Sequence, residues 1–137
     1  MKNYNFNAEG LNLLQMAVYP TLKILIKCAE TNSIITYEQL KLMTGYRSPR
    51  MGRVLEIADN TLCKLSKKSG KNIPIIGGFV IDKNKNKPND GLKKPMLRKG
   101  YNYDVLKRNN QLTNIIKQIN EEAHNYNWTW VKNQLYL

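Results

Sequence analysis

Apolar residues recur at helical spacing early in the chain, and this pattern predicts a first helix. The helix covers residues 17–31, while residues 1–16 are predicted to form a loop and a short helix. Pro20 falls in the predicted first turn, where its missing N–H costs little. The apolar stripe of this helix consists of Val18, Leu22, Leu25, Ile26 and Ala29.

A second, shorter helix is predicted by its end signals rather than by its length. Thr36 and Gln39 have the spacing of a capping box, which places the start of the helix after Thr36. Gly45 can end the helix in a left-handed backbone conformation. Between these signals, Leu40 and Met43 are predicted to face inward, so the helix is about two turns long.

A third helix is predicted over about residues 49–68 and has two chemically different faces. Ser48 is its predicted N-cap, and Pro49 occupies the first helical position. The apolar face comprises Met51, Val54, Leu55, Ala58, Leu62 and Leu65. The opposite face, on which Ile57 is the single apolar residue, comprises Arg50, Arg53, Asn60, Lys64 and Lys67.

The pattern after the third helix changes from helical to strand spacing. Residues 73–82 are apolar and β-rich, which predicts a strand, and residues 83–91 are predicted to form a lysine-rich loop or hairpin tip. We therefore predict a basic β-hairpin over about residues 76–94. A final helix is predicted over 103–124, followed by a short strand in which Trp128 and Trp130 alternate and pack on the core.

This order of elements is that of a winged helix-turn-helix. The predicted fold class is α+β and mainly helical, with a basic β-hairpin wing and an added C-terminal helix. One domain is expected over residues 1–137, with its core in 17–92 and the C-terminal helix and short strand in 103–132. In this motif the helix after the turn enters the major groove of DNA, so residues 49–68 are the predicted recognition helix.

The charge of the chain points to a polyanionic partner. Twenty-two Lys and Arg against ten Asp and Glu give a net charge of +12 and a pI near 9.8. The excess is concentrated in residues 41–53 and 64–108, which contain the predicted recognition helix and wing. Double-stranded DNA is the expected partner, and RNA is the alternative nucleic acid.

The composition also sets expectations about location and cofactors. No apolar run reaches the ~20 residues that span a bilayer, and the N-terminus lacks the apolar core of a signal peptide. No membrane association is therefore expected, and the expected location is the cytoplasm. Cys28, Cys63 and His124 are too few and too scattered for a zinc site. Neither a metal nor another cofactor is expected, and both cysteines are predicted to be buried free thiols.

The predicted DNA contacts differ in chemistry. Lysines in the wing would neutralise phosphates, whereas an arginine at the start of the recognition helix can pair with a guanine edge. Ser48 and the helix N-terminus can donate to a phosphate. Together, the predicted contacts are Arg47, Ser48, Arg50, Arg53, Asn60, Lys64, Lys83, Lys85 and Lys87.

The segment ITYEQLKLMTGYRSPRMGRVL resembles the core of the alkylguanine-DNA alkyltransferases and alkyltransferase-like proteins. The resemblance covers about residues 34–82 and implies a winged-helix protein that binds distorted or flipped-nucleotide DNA. It implies that Tyr37 contacts the DNA backbone beside the flipped base and that Arg50 fills the gap in the stack. Where that family has its Pro-Cys-His-Arg motif, this chain has PIIGGFVID. Alkyl transfer is excluded, because the acceptor cysteine and its activating histidine are missing.

Two other function classes are alternatives to a non-enzymatic DNA-binding protein. One is a small basic nuclease of bacterial or phage conflict systems, whose candidate residues are Glu56, Asp82, Asp104 and His124. The other is a protein-interaction module that captures an acidic partner, and a homodimer is a further expected form of association. Loss of DNA affinity with rising salt would favour the DNA-binding class.

Overall fold

A computed structural model describes the backbone of residues 2–45, 51–82, 87, 88 and 90–137. It describes the side chains of residues 17–45, 52–82 and 91–137. The predicted turn between the second and third helices, and residues 83–86 and 89 of the predicted hairpin tip, lie outside the described residues. Among the described helices, none has the length and apolar character that crossing a membrane requires.

The first helix, α1 (Lys2–Thr31), is longer than the sequence pattern predicted. Pro20 lies inside the helix and not in its first turn, so that prediction was wrong. A proline within a helix removes one i→i−4 hydrogen bond, but burial of the apolar stripe that follows offsets this cost. That stripe is buried as predicted, with Leu22 and Ala29 fully inaccessible to solvent. Asn32, with φ of 53°, turns the chain out of the helix.

The short helix α2 (Tyr37–Thr44) follows strand β1 (Ile35–Thr36) and has the predicted ends. The backbone N–H of Gln39 donates to Oγ1 of Thr36 at 3.1 Å, and the N–H of Thr36 donates to Oε1 of Gln39 at 3.0 Å. Gly45 ends α2 with φ of 71°. Leu40 is fully buried, but Met43 is 63% exposed, so the prediction that Met43 faces inward was wrong.

Helix α3 (Met51–Ser69) has the predicted apolar face, and this face packs against α1. Val54 and Ala58 are fully buried, and Leu55 and Leu62 are nearly so. Ile57, the apolar residue on the other face, is half-buried and packs against the same core cluster. Burial of this face fixes the rotation of α3 about its axis, and therefore the direction of its polar face.

The predicted strand over 73–82 is mostly a different structure. Only Val80–Asp82 forms a strand, β2, and a 3₁₀ turn occupies Gly77–Phe79. Asn120 explains part of the difference, because its Nδ2 donates to the carbonyl oxygen of Gly78 at 3.0 Å. The Asn120 side chain thus occupies the Gly78 carbonyl oxygen, which a longer strand would need for hydrogen bonding to a neighbouring strand.

Three short strands form the sheet, in the order β1–β2–β3, where β3 is Lys87–Pro88. β1 pairs in parallel with β2, and β2 pairs antiparallel with β3. The antiparallel pairing of β2 with β3 falls within the residue range of the predicted hairpin. The predicted hairpin does not extend to residue 94, because a 3₁₀ turn at Asp90–Leu92 and helix α4 (Lys93–Arg98) follow β3.

The C-terminal segment is more helical than predicted. The predicted helix over 103–124 is two helices, α5 (Tyr103–Arg108) and α6 (Leu112–Asn125), separated where Asn110 has φ of 57°. The predicted short strand containing Trp128 and Trp130 was wrong, because Thr129–Leu135 forms helix α7. The predicted packing of Trp128 was correct: the ring is buried, and its Nε1 donates to the carbonyl oxygen of Ala123 at 2.8 Å.

Among the described residues, the buried apolar side chains form two clusters, and α3 contributes only to the larger one. The larger cluster joins α1, α2, α3 and the C-terminal helices. The smaller one lies among Ile75, the 3₁₀ turn at Asp90–Leu92 and helices α4, α5 and α6. Because the smaller cluster buries Met96 completely, it holds α4 in place next to α3.

Candidate nucleic-acid interface

The polar face of α3 presents one row of nucleic-acid-binding residue types. Arg53, Asn60, Lys64 and Lys67 are separated by seven, four and three residues, which places them on one side of a helix. The three basic residues are exposed and Asn60 is half-buried. We call these four residues the α3 stripe. The opposite side of α3 is buried in the core, and the three basic side chains of the stripe are directed toward solvent.

Arg53, a predicted DNA contact, makes an ion pair within its own helix. Its Nη1 lies 2.8 Å from Oε2 of Glu56, and Nζ of Lys94 lies 3.7 Å from the same carboxylate oxygen. The Arg53 side chain is 56% exposed. An exposed ion pair of this kind contributes at most about 1 kcal/mol, so a phosphate or base could replace Glu56 at little cost.

Helix α4 adds basic residues that the sequence prediction did not assign to this surface. Lys93, Lys94 and Arg98 all lie on α4, and Lys94 and Arg98 reach carboxylates on α3. The Lys94 side chain is 66% exposed, so it contributes positive charge beside the α3 stripe. The available signal was the basic composition of LKKPMLRKG, but only its first three residues fell within the predicted hairpin.

Among the residues whose side chains the structure describes, Asp59 is the one charged residue that is buried. Its Oδ2 accepts a hydrogen bond from Nη1 of Arg98 at 2.5 Å, and only 12% of its side chain is exposed. Burial raises the pKa of Asp59 to about 6, although the nearby charges of Arg98 and Lys99 act in the opposite direction. The pair ties α4 to α3 and thereby fixes the position of the α4 lysines.

Tyr37 occupies the first position of α2, at the edge of the core. Its ring is half-buried and packs against the larger apolar cluster. The role that the family resemblance implies for Tyr37, a contact with the DNA backbone, stays a prediction. The packing of the ring gives this residue a structural role in addition.

Several predicted contacts lie outside the described residues. Arg47, Ser48 and Arg50 belong to the segment that connects α2 to α3. Lys83 and Lys85 belong to the segment that connects β2 to β3, and the backbone of Lys87 belongs to β3. By chain connectivity, both sets are attached to the ends of elements that the structure describes.

The residues considered for a nuclease have other partners. Glu56 pairs with Arg53, Asp104 pairs with Lys93 at 3.3 Å, and Nδ1 of His124 lies 2.8 Å from the carbonyl oxygen of Ala29. Within the part of the chain that the structure describes, no three His, Cys, Asp or Glu side chains form a potential metal site.

Both cysteines are free thiols, as predicted, but only one of them is buried. Cys28 is buried in α1, and desolvation raises the pKa of its thiol. Cys63 is partly exposed on α3, so the prediction of burial was wrong for this residue. Cys63 does not belong to the apolar face of α3 that packs on α1.

Comparison with protein-family models finds no match, and comparisons with curated proteins and with solved structures find none either.

Proposed function

We propose that this protein is a non-enzymatic DNA-binding protein that contacts duplex DNA through the α3 stripe. The observation that carries the proposal is the division of α3 into two sides. One side is buried against α1, and the other presents Arg53, Asn60, Lys64 and Lys67. A helix with this division can lie in the major groove while the rest of the fold stays outside it.

The elements around α3 support a winged-helix mode of binding. A capped helix, α2, precedes α3, and the short hairpin of β2 and β3 follows it. In the proposed mode the lysines at 83, 85 and 87 contact the DNA backbone next to the groove that α3 occupies. The residues that join α2 to α3, among them Arg47 and Arg50, lie at the N-terminal end of the recognition helix in this mode.

Some of the proposed contacts contribute mainly to affinity, and others contribute mainly to sequence specificity. Lys64 and Lys67 neutralise phosphates, which releases counterions and makes binding sensitive to salt. Asn60 can pair with the major-groove edge of adenine, and Arg53 with that of guanine. Binding of distorted or flipped-nucleotide DNA, with Tyr37 and Arg50 in the roles that the alkyltransferase resemblance implies, is the more specific form of the proposal.

Duplex DNA is favoured over duplex RNA for a geometric reason. The major groove of B-form DNA admits an α-helix, whereas the major groove of an A-form RNA helix is too deep and narrow for side chains to read. The basic and amide side chains of the α3 stripe lie along a helix, which suits the wider groove.

The test is equilibrium binding to a fluorescent DNA duplex of about 20 base pairs, followed by anisotropy over a series of salt concentrations. The proposal predicts an affinity that falls steeply with the logarithm of salt, and weaker binding to an RNA duplex of the same sequence. It also predicts that the DNA stays intact in magnesium, which separates it from the nuclease alternative. Absence of binding at low salt would overturn it.

A further inference from the structure

A second surface, which shares no residue with the α3 stripe, exposes a group of large apolar side chains. Ile34 is 61% exposed, Leu42 is 82% exposed and Met43 is 63% exposed. They line a groove of about 850 Å³ between α1 and α2, together with residues of β1 and the end of α7. We call this feature the α1–α2 groove. Its apolar lining includes Ile24, Ile26, Ile34, Ile35, Leu42 and Met43.

The exposure of Leu42 and Met43 is not needed for the fold. Leu40 supplies the buried contact of α2 with the core, and Leu42 and Met43 point away from it. A contiguous group of exposed apolar side chains costs solubility and commonly marks an interaction site. The groove therefore has the chemistry of a surface that another molecule covers.

The rim of the groove is positively charged. Lys23 and Lys27 are exposed on successive turns of α1, and within the described residues no carboxylate forms an ion pair with either. A third lysine, Lys132, pairs with Glu30 at 2.8 Å, so these two charges offset each other. An occupant with acidic residues beside an apolar stripe would complement both the floor and the rim.

The same charges argue against a second copy of this chain as the occupant. Two copies joined through this groove would bring Lys23 and Lys27 of both molecules together, on chains that each carry a net charge of +12. Like charges facing each other across an interface oppose association. Charge complementarity therefore selects an acidic partner.

The shape of the groove favours a helix over an extended strand. Along α1 the lining runs from Lys23 to Thr31, which is about 12 Å or two turns of helix. The adjacent strand β1 has only two residues, so it offers little edge for strand addition. A groove of this length accommodates the apolar residues of two turns of an amphipathic helix.

We propose that the α1–α2 groove binds an acidic amphipathic helix of a partner protein. Apolar side chains of that helix contact Ile34, Leu42 and Met43, and its carboxylates face Lys23 and Lys27. This proposal does not depend on DNA binding. If both are correct, the protein joins DNA to an acidic protein through two separate surfaces.

The probe for this site is a fluorescein-labelled peptide of about 16 residues with leucines at helical spacing and glutamates elsewhere. The comparison peptide has the same composition in scrambled order. Anisotropy is measured with the full chain, and the proposal predicts that the amphipathic peptide binds and the scrambled one does not. Equal binding of the two peptides would overturn the proposal, because charge alone would then explain the affinity.

Variants localise the binding. The double variant Leu42→Ser/Met43→Ser should weaken peptide binding about tenfold or more, since it removes two apolar contacts. The double variant Lys23→Ala/Lys27→Ala should weaken it severalfold and reduce its salt dependence. Leu97→Ser is the matched control, because Leu97 is 65% exposed on α4 and does not line the groove. Equal loss in all three variants, or none in the first two, would overturn the proposal.

Sedimentation and vesicle binding test the competing occupants. A dimer of the wild-type chain that Leu42→Ser/Met43→Ser dissociates would assign the groove to a second copy and overturn the proposal. Binding to phosphatidylserine vesicles that the same variant abolishes would assign it to an anionic lipid surface, with the same consequence. We expect the wild-type chain to be a monomer that binds the amphipathic peptide and does not bind the vesicles. Thermal unfolding of each variant checks that the exposed substitutions leave the fold intact.

Discussion

Nη1 of Arg98 lies 2.5 Å from Oδ2 of Asp59, and this ion pair joins α4 to the middle of α3. It is the most buried of the ion pairs among the described residues, with side-chain exposures of 37% for Arg98 and 12% for Asp59. Removing charges from water is costly, and the attraction within a pair only partly compensates for this cost. Because burial raises the pKa of Asp59, this pair should make the protein less stable as the pH rises.

Asp59→Asn should change the pH dependence of stability. Burial raises the pKa of Asp59 from 3.8 to about 6, so between these values the folded state binds a proton more strongly than the unfolded state does. The corresponding stability is fully present below about pH 4 and is lost as the pH rises through about 6. Relative to the Asn variant, the wild type should lose about 2–3 kcal/mol between pH 4 and 7.5.

Urea unfolding of both proteins across this pH range measures the difference. The Asn variant removes the titrating group, and it leaves the Arg98 side chain able to reach solvent. A difference in unfolding free energy that is constant with pH, or one that changes in favour of the wild type as the pH rises, would contradict the assignment.

Arg98→Ala should destabilise the protein more at pH 8 than at pH 5. At pH 8 the variant leaves a buried carboxylate without its partner, which we expect to cost about 2 kcal/mol or more. At pH 5 Asp59 is mostly protonated, so only the packing of Arg98 is lost. Lys94→Ala is the control, because its ion pair with Glu56 is exposed and should contribute less than about 1 kcal/mol. Equal losses for the two variants at pH 8 would contradict this account.

Gly78 and Asn120 should be energetically coupled. A Cβ atom at Gly78 would overlap Oδ1 of Asn120, and moving Asn120 away would break its hydrogen bond to the Gly78 carbonyl. Gly78→Ala should therefore cost about 1–3 kcal/mol. In the Asn120→Ala background the same change should cost at least about 1 kcal/mol less.

A double-mutant cycle of urea unfolding measures this coupling. Gly77→Ala is the matched control, because a Cβ atom there would meet only Cδ2 of Leu92, at 3.5 Å. If the cost of Gly78→Ala is the same with and without Asn120, the contact between them does not determine the local structure.

These residues also show why the sequence predicted some elements and missed others. The ends of α2 depend on Thr36, Gln39 and Gly45, which act within a few residues of one another, so the local pattern was sufficient. The carbonyl oxygen of Gly78 accepts a hydrogen bond from Asn120, 42 positions further along the chain. No local pattern contains that contact, and β-propensity alone predicted a strand that is too long.

The site shows the same division between local and distant information. The α3 stripe follows from helical periodicity, which was visible in the sequence. Helix α4 was missed because Pro95 and the neighbouring lysines resemble a basic loop. Pro95 lies in the first turn of α4, where backbone N–H groups have no partner within the helix, so it does not prevent helix formation. The Trp128 and Trp130 alternation was too short to distinguish a strand from α7.

The lysines of the β2–β3 connection should contribute affinity without sequence preference. Replacing Lys83, Lys85 and Lys87 together by Ala should weaken binding to all DNA duplexes alike and flatten the salt dependence. Anisotropy with duplexes of several unrelated sequences measures both effects. If the triple variant binds as the wild type does, the hairpin is not part of the interface.

The central claim is that α3 contacts DNA, and a comparison of two charge-matched double variants tests it most directly. Lys64→Ala/Lys67→Ala removes two charges from the α3 stripe, and Lys107→Ala/Lys117→Ala removes two exposed charges from α5 and α6. For each protein, the dissociation constant for one DNA duplex is measured by anisotropy across a series of salt concentrations. We predict that the stripe variant lowers the slope of log affinity against log salt by about 2, and that the control variant leaves it nearly unchanged. Equal slopes for the wild type and the stripe variant, or equal losses in the two variants, would contradict the claim.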